Sequence, residues 1–293
     1  MRTSLRERTD VLGVIIGIDV GGSTTKIVGF RNDEKGNKTL IEPQLVTAND
    51  PITSTYGAFG KFTEENGIEM SDITKIMMTG VGASFVKKDI FGLTCERVPE
   101  FNSIGKGALY LSGLDNTLAV SLGTGTALVH AVKGGKMNYL GGTGVGGGTL
   151  VGLSKLLLHA ESMEHIIEYA EGGDLDNIDL KIKHMTDSGR LAILSEELTA
   201  SNFGNVSDLA TKEDIALGIM NMVFETVAMV AMFAARQVGC ENIVLTGNLT
   251  KIGFCEKKFK ELNSMKDNFG VNFIIPANSQ FGTVIGTALC GLE

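Results

Sequence analysis

A chain of 293 residues, at roughly 100 to 200 residues per domain, favours two lobes over one compact body. Apolar residues at 43% and charged residues at 20% exclude a disordered chain, and a net charge of -8 without a basic stripe argues against nucleic-acid binding through phosphate neutralisation. Glycine is the outlier, since 38 of the residues is about 13%, against a usual share of about 7%.

In chain order, residues 13–30 (GVIIGIDVGGSTTKIVGF) read as strand, glycine turn, strand. A third strand is expected at 38–47, a helix at 54–66, a strand at 73–79 running into the glycines of TGVGAS, and a helix at 101–111. From Asn116 the opening pattern restarts. Residues 117–142 (TLAVSLGTGTALVHAVKGGKMNYLGG) are again strand, glycine turn, strand, Gly-Gly hairpin and strand. Two such copies imply an internal duplication with the turns facing one another across a cleft, in an N-terminal lobe of residues 1–114 and a C-terminal lobe of residues 115–293. The second lobe continues with GGTGVGGG at 141–148, a helix, a long helix at 212–238, the strand ENIVLTGN, a helix near 254–267, the strand VNFIIP and a short last helix.

The two turns carry the first chemistry. Gly21 and Gly22 let the backbone approach phosphate oxygens, Ser23 and Thr24 add donors, Lys26 adds charge, and Asp19 at the strand end can hold Mg²⁺ through water. Alone, this loop reads equally well as a structural hairpin. The second copy at Thr124 and Gly125 makes a pair of turns able to grip the β- and γ-phosphates of a nucleotide. The 141–148 stretch lacks the GK[ST] of a P-loop and the βαβ context of a dinucleotide fingerprint. It is expected to end at a helix N-terminus whose free N–H groups favour an anion. Gly247, in TGN, is expected to admit a flat base against the backbone.

Cys95, Cys240, Cys255 and Cys290 show no CxxC spacing, and the four histidines no ligand-like spacing, so neither a zinc site nor a disulfide framework is expected. The polar N-terminus and the short VIIGIDV run point to a cytoplasmic protein. Residues 215–238 are apolar but interrupted by Glu225, Arg236 and Gln237, which suits a buried helix better than a membrane span. Its Met- and Ala-rich face serves equally as core or as a subunit interface.

Taken together, IGIDVGGSTTKIVGF, MTGVGAS, PEFNSIGKGALYL, VSLGTGTALVHA, GGTGVGGGTLVGLSKLL, GDLDNIDLKIKHM, LTASNFGNV, NIVLTGN and GTVIGTALCGL resemble the type II (eukaryotic-like) pantothenate kinases, in that family's order over nearly the whole chain. The resemblance implies an α/β, two-lobed actin-like (ribonuclease H-like, duplicated) ATPase fold with a nucleotide cleft. It also implies Mg-ATP-dependent phosphorylation of a primary alcohol, the first step toward coenzyme A, usually by a homodimer. Carried over, it makes Asp19 to Lys26 the first phosphate loop and Thr124 part of the second. Gly147, Gly148, Thr149, Leu150, Val151 and Asn248 become nucleotide contacts, and Glu100 the general base. One departure concerns the acceptor: where the family commonly has an arginine, this chain has Tyr139, so pantetheine or another alcohol is an alternative acceptor, with Lys133 or Lys136 as substitute cations. An ATP-driven activator of the same fold is the alternative outside the kinases.

Overall fold

A computed structural model describes residues 11–22, 24–33, 37–47, 50–185 and 195–292. The strands are β1 (Val11–Val20), β2 (Thr25–Asp33), β3 (Lys38–Val46), β4 (Ile73–Thr79), β5 (Cys95–Arg97), β6 (Asn116–Leu122), β7 (Thr126–Val132), β8 (Asn138–Thr143), β9 (Leu180–Lys181), β10 (Thr199–Ser201), β11 (Asn242–Thr246) and β12 (Asn272–Ile274). The helices are α1 (Pro51–Glu65), α2 (Glu100–Ser112), α3 (Gly147–Leu158), α4 (Met163–Glu171), α5 (Lys212–Gln237), α6 (Gly253–Ser264), α7 (Lys266–Phe269) and α8 (Gly282–Cys290). Two five-stranded sheets run in the orders β3-β2-β1-β4-β5 and β8-β7-β6-β11-β12. Each places its first strand at the centre, between its own hairpin partner and a later strand, which is the duplication expected from the repeated strand-turn-strand pattern.

The chain divides into two compact units, one of Met1–Ala119, Val129–Asn138 and Pro276–Glu293, the other of Val120–Leu128 and Tyr139–Ile275. The division expected at 114/115 therefore differs at residues 115–119 and 129–138 and at the C-terminus, where α8 joins the first unit. The cause is packing at long sequence separation: α8 lies on α2 and on β1, β2 and β4.

Period-two alternation sorts the first sheet's faces. Val14, Ile16, Ile18 and Val20 of β1 meet Phe59 and Phe62 of α1. On the other face Val28 and Phe30 of β2 meet Val284, Ile285 and Ala288 of α8. Gly17 of β1 belongs to that second face, where a Cβ would lie 2.7 Å from the Val284 carbonyl oxygen. Asp19, two residues on, shares it.

Helices α2 and α8 cross backbone to backbone. A Cβ on Gly107 would fall inside the surface of the Gly282 carbonyl, one on Gly286 would do the same to the Ser103 carbonyl, and Thr287 Oγ1 donates to Ser103 Oγ at 3.0 Å. Helix α5, with a stretch apolar and long enough to cross a membrane by length and composition alone, instead buries most of that stretch in the second unit. It packs there on α3, α4 and α6.

Alanine is the better helix former by about 1 kcal/mol, so propensity alone makes Gly107→Ala and Gly286→Ala stabilising. The crossing reverses that sign. Each substitution is expected to cost about 1–3 kcal/mol in urea denaturation, the usual range for overpacking, and a stability equal to or above the parent's would contradict the contact.

Candidate functional site

In the first unit, Asp19 closes β1 and is paired in register with Lys26 of β2. The turn between them is held by Gly21 N–H donating to the Thr24 carbonyl at 2.9 Å. Gly22 is exposed and a Cβ there would meet nothing within 4 Å, so protein packing does not demand that glycine. Ser23 lies outside the described residues. Lys26 is buried and its Nζ donates to the Gln280 carbonyl at 2.7 Å. Burial lowers the Lys26 pKa and raises that of Asp19, while the opposite charge of each partner pulls the other way.

Gly80 and Gly82, from TGVGAS, cover the end of β1. Gly80 has φ +89°, and a Cβ on it would lie 2.6 Å from Asp19 Oδ1 and inside the Val20 carbonyl. Only glycine satisfies both the backbone angle and the approach. Glu100 is the first residue of α2, where the helix dipole favours an acid. Although its surface is exposed, the surrounding protein pushes its pKa up, and the Asp19 carboxylate adds to that push. The two carboxylates are therefore close enough to repel. Among the described residues no group of three or more His, Cys, Asp or Glu forms a metal-binding cluster. One carboxylate beside a phosphate loop does fit Mg²⁺, which keeps several waters and is held by one or two carboxylates with substrate phosphates.

In the second unit three glycine turns meet. Gly123 N–H donates to the Gly125 carbonyl at 3.0 Å, while the N–H groups of Gly147 and Gly148, opening α3, donate to the carbonyls of Gly123 and Thr124 at 2.9 Å each. The expectation of free amides at this helix start is thus corrected for these two, which lock the β6–β7 turn. A Cβ on Gly146 would lie 2.8 Å from Gly125 Cα, and one on Gly148 3.0 Å from Thr124 Cγ2. Internal close packing therefore accounts for glycines that sequence alone read as ligand approach. Leu150 is corrected likewise: its side chain is fully buried and its N–H donates to the Gly146 carbonyl at 3.0 Å. Gly247, at φ +99°, is covered by Leu122, so no flat base lies against it. Thr124 and Asn248 are exposed on this cluster, Gly125, Thr149 and Val151 partly so.

Two concavities lie among the described residues near the candidate elements. One of about 200 Å³ in the first unit is lined by Met78, Thr79, Gly80, Val81, Ala83, Arg97, Val98 and Glu100. A larger one of about 550 Å³ in the second unit includes Lys181, Glu197, Thr199, Leu217, Ile252, Phe254 and Lys258. None of the candidate residues lines the larger one, and Glu100 alone lines the smaller. The smaller is the candidate for the chemistry, since it is lined by Glu100, the carboxylate whose pKa is raised. The larger is built on an ion ring in which Lys181 and Lys183 each bridge Asp176 and Glu197 at 2.7–2.9 Å, drawing the Asp176 pKa down to about 2. Lys258, also buried, pairs with Glu225 at 3.1 Å. Sequence reasoning missed Arg97 and this cavity, whose only signal was the alternation of charge in GDLDNIDLKIKHM.

Comparison with known proteins decides the family. A family profile described as Fumble matches residues 116–258. The type II pantothenate kinase of Staphylococcus saprophyticus is 30% identical over 246 residues, 80% of this chain and 84% of that one. That of Staphylococcus aureus strain USA300 is 29% identical over 243 residues with the same coverage. The chain belongs to the type II pantothenate kinase family. Its fold is that of the actin-like ATPases, shared with the activator of 2-hydroxyisocaproyl-CoA dehydratase from Clostridium difficile (TM-score 0.62, 16% identity, 95% of this chain and 94% of that one). The component A of (R)-2-hydroxyglutaryl-CoA dehydratase from Acidaminococcus fermentans is equally similar (TM-score 0.62, 18% identity, 95% and 97%). At such identity these two speak for the fold alone. Tyr139, where the resemblance leads to the expectation of an arginine, is exposed on β8.

The Glu100 carboxyl is expected to titrate above the usual carboxylate range. Asp19→Asn removes the smaller of its two causes, so the Glu100 pKa should fall part of the way back, read by carbon NMR of labelled glutamate. A value unmoved by the substitution would separate the two carboxylates electrostatically.

Proposed function

We propose that this chain transfers the γ-phosphoryl group of ATP to the primary hydroxyl of pantothenate, the entry to coenzyme A synthesis. The observation that carries the reading is Glu100: a carboxylate at a helix start, its pKa raised by burial and by Asp19, in a concavity of the first unit. A base works best when its pKa approaches the operating pH. Glu100 accepts the hydroxyl proton as the new O–P bond forms. Asp19 would hold Mg²⁺, which would neutralise charge on the phosphates. Gly21, Gly22, Ser23 and Thr24, with Thr124 and Gly125, are assigned to the phosphates. Lys26 supplies charge from below the loop, since its ammonium is already engaged by the Gln280 carbonyl. Thr149, Val151 and Asn248 are assigned to the nucleotide, while Gly147 and Gly148 hold the β6–β7 turn with their amides. The larger cavity of the second unit suits its nucleoside, because the Ile252–Phe254 wall follows the single helical turn that starts at Asn248.

A second acceptor is favoured by one residue. Tyr139 offers a ring and one hydroxyl where an arginine would offer a charged fork, and neutral pantetheine suffers less from that exchange than anionic pantothenate. We place the enzyme in the cytoplasm, in keeping with its free thiols. We read it as a homodimer on the exposed apolar residues Leu156 and Leu157 of α3 and Phe233 of α5. Phe233→Glu should then shift the mass in light scattering from dimer to monomer, and an unchanged mass would remove that face from the interface.

Glu100→Gln is expected to lower turnover by about 10²- to 10⁴-fold, the usual worth of a positioned base, while ATP still stabilises the protein by about 2.7 kcal/mol at a hundredfold excess over Kd. ADP release coupled to pantothenate, with thermal shift in parallel, measures both. Retention of more than about a tenth of the rate would remove Glu100 from the role, and no ATP shift at millimolar concentration would overturn the kinase reading.

A further inference from the structure

The concavity that holds Glu100 also holds a cation. Among the described residues lining it, Arg97 is the one basic side chain and Glu100 the one acidic. Arg97 ends β5, paired in register with Met78, and its Nη2 donates to the Val86 carbonyl at 2.8 Å. That bond uses one of five donors and orients the guanidinium, leaving its other donors for a carboxylate. Val81 and Ala83 give the same concavity an apolar side.

The spacing fits a particular kind of acceptor. Arg97 and Glu100 are three residues apart, and Pro99 between them is extended (φ -58°, ψ 129°), so their Cα atoms are separated by at most about 10 Å. A pantoyl-β-alanine chain has its primary hydroxyl and its carboxylate eight bonds apart, also about 10 Å when extended. Its branched dimethyl carbon asks for an apolar neighbour. The two lysines considered from sequence do not compete: Lys133 is paired with Asp115 at 2.8 Å, and neither it nor Lys136 lines this concavity.

We propose that Arg97 binds the carboxylate of the acceptor while Glu100 receives the proton of its hydroxyl, making Arg97 the residue that selects an anionic acceptor in a chain with Tyr139 at the family's arginine position. This rests on the kinase reading above. The same guanidinium could instead serve the phosphoryl group, and acceptor charge distinguishes the two.

The test is steady-state kinetics of Arg97→Met and Arg97→Lys with pantothenate and with neutral pantetheine, alongside the parent enzyme. The ratio of kcat/KM for pantothenate to that for pantetheine is expected to fall about ten- to hundredfold in Arg97→Met, the worth of a charge-assisted contact, chiefly through KM for pantothenate. Arg97→Lys, which keeps the charge and loses the fork, should lie between. Pantetheine turnover in the same preparations reports that each variant is folded. An unchanged ratio, or a loss of kcat shared equally by both acceptors, overturns the inference and leaves the kinase reading standing. No turnover of either acceptor by the parent enzyme overturns the kinase reading and this inference with it.

Discussion

The crossing of α2 and α8 is the contact on which the first unit's chemistry depends. Gly107 and Gly286 remove the side chains that would hold the two helices apart, and each backbone then rests on a carbonyl of the other. Interaxial distances of 8–10 Å are set by the side chains at a contact, so glycine at the crossing brings these helices unusually near. Two consequences reach the site. The N-terminus of α2, which begins at Glu100, is fixed over the sheet face that carries Asp19. The segment leading into α8 supplies the Gln280 carbonyl that accepts from Lys26. One helix pair thus positions Glu100 and anchors the buried Lys26.

Glycine in this chain performs two jobs that composition cannot separate. At Gly80, Gly146, Gly148 and Gly247 a Cβ would strike a neighbouring turn, so glycine is required by internal packing. At Gly22 no atom lies within 4 Å of where a Cβ would be, and the residue is exposed. Packing gives no reason for glycine there, whereas close approach of a ligand to the backbone does. The distinction relocates the donors in the second unit. Two amides at the start of α3 are consumed in holding the β6–β7 turn, while the side chains of Thr124 and Asn248 stand exposed on that cluster.

What was legible in the sequence follows from the range of the interactions involved. Strand alternation and glycine turns are local, and the repeated pattern at residues 13–30 and 117–142 pointed to the duplication, while the matching strand order of the two sheets is seen only in the structure. The docking of α8 depends on contacts between residues near 105 and near 285, which no window of periodicity spans, and the lobe boundary drawn from sequence missed it. Leu150 was placed beside the nucleotide by alignment to a family motif, but its position one turn into α3 sends the side chain into the core. Glu100 as a base came from the family resemblance; its raised pKa, and the Asp19 charge that contributes, are properties of three-dimensional proximity. Arg97 was invisible because an arginine ending a short strand has no motif.

Charge balance joins these elements. Asp19 is placed where burial disfavours its charge, with Lys26 as partial compensation, and its residual field acts on Glu100. While that field is unbalanced, Glu100 holds its proton more firmly. Any cation that settles against Asp19 weakens the repulsion, so Glu100 gives up its proton more readily and becomes able to accept one from a hydroxyl. Linkage makes the effect reciprocal: an ionised Glu100 strengthens the hold of Asp19 on a cation by the same free energy. With Glu100 as the proposed base and Asp19 as the proposed holder of Mg²⁺, ionisation of Glu100 is coupled to the arrival of a cation at Asp19. A kinase gains from that order, since a base poised before the nucleotide arrives would have no reaction to serve.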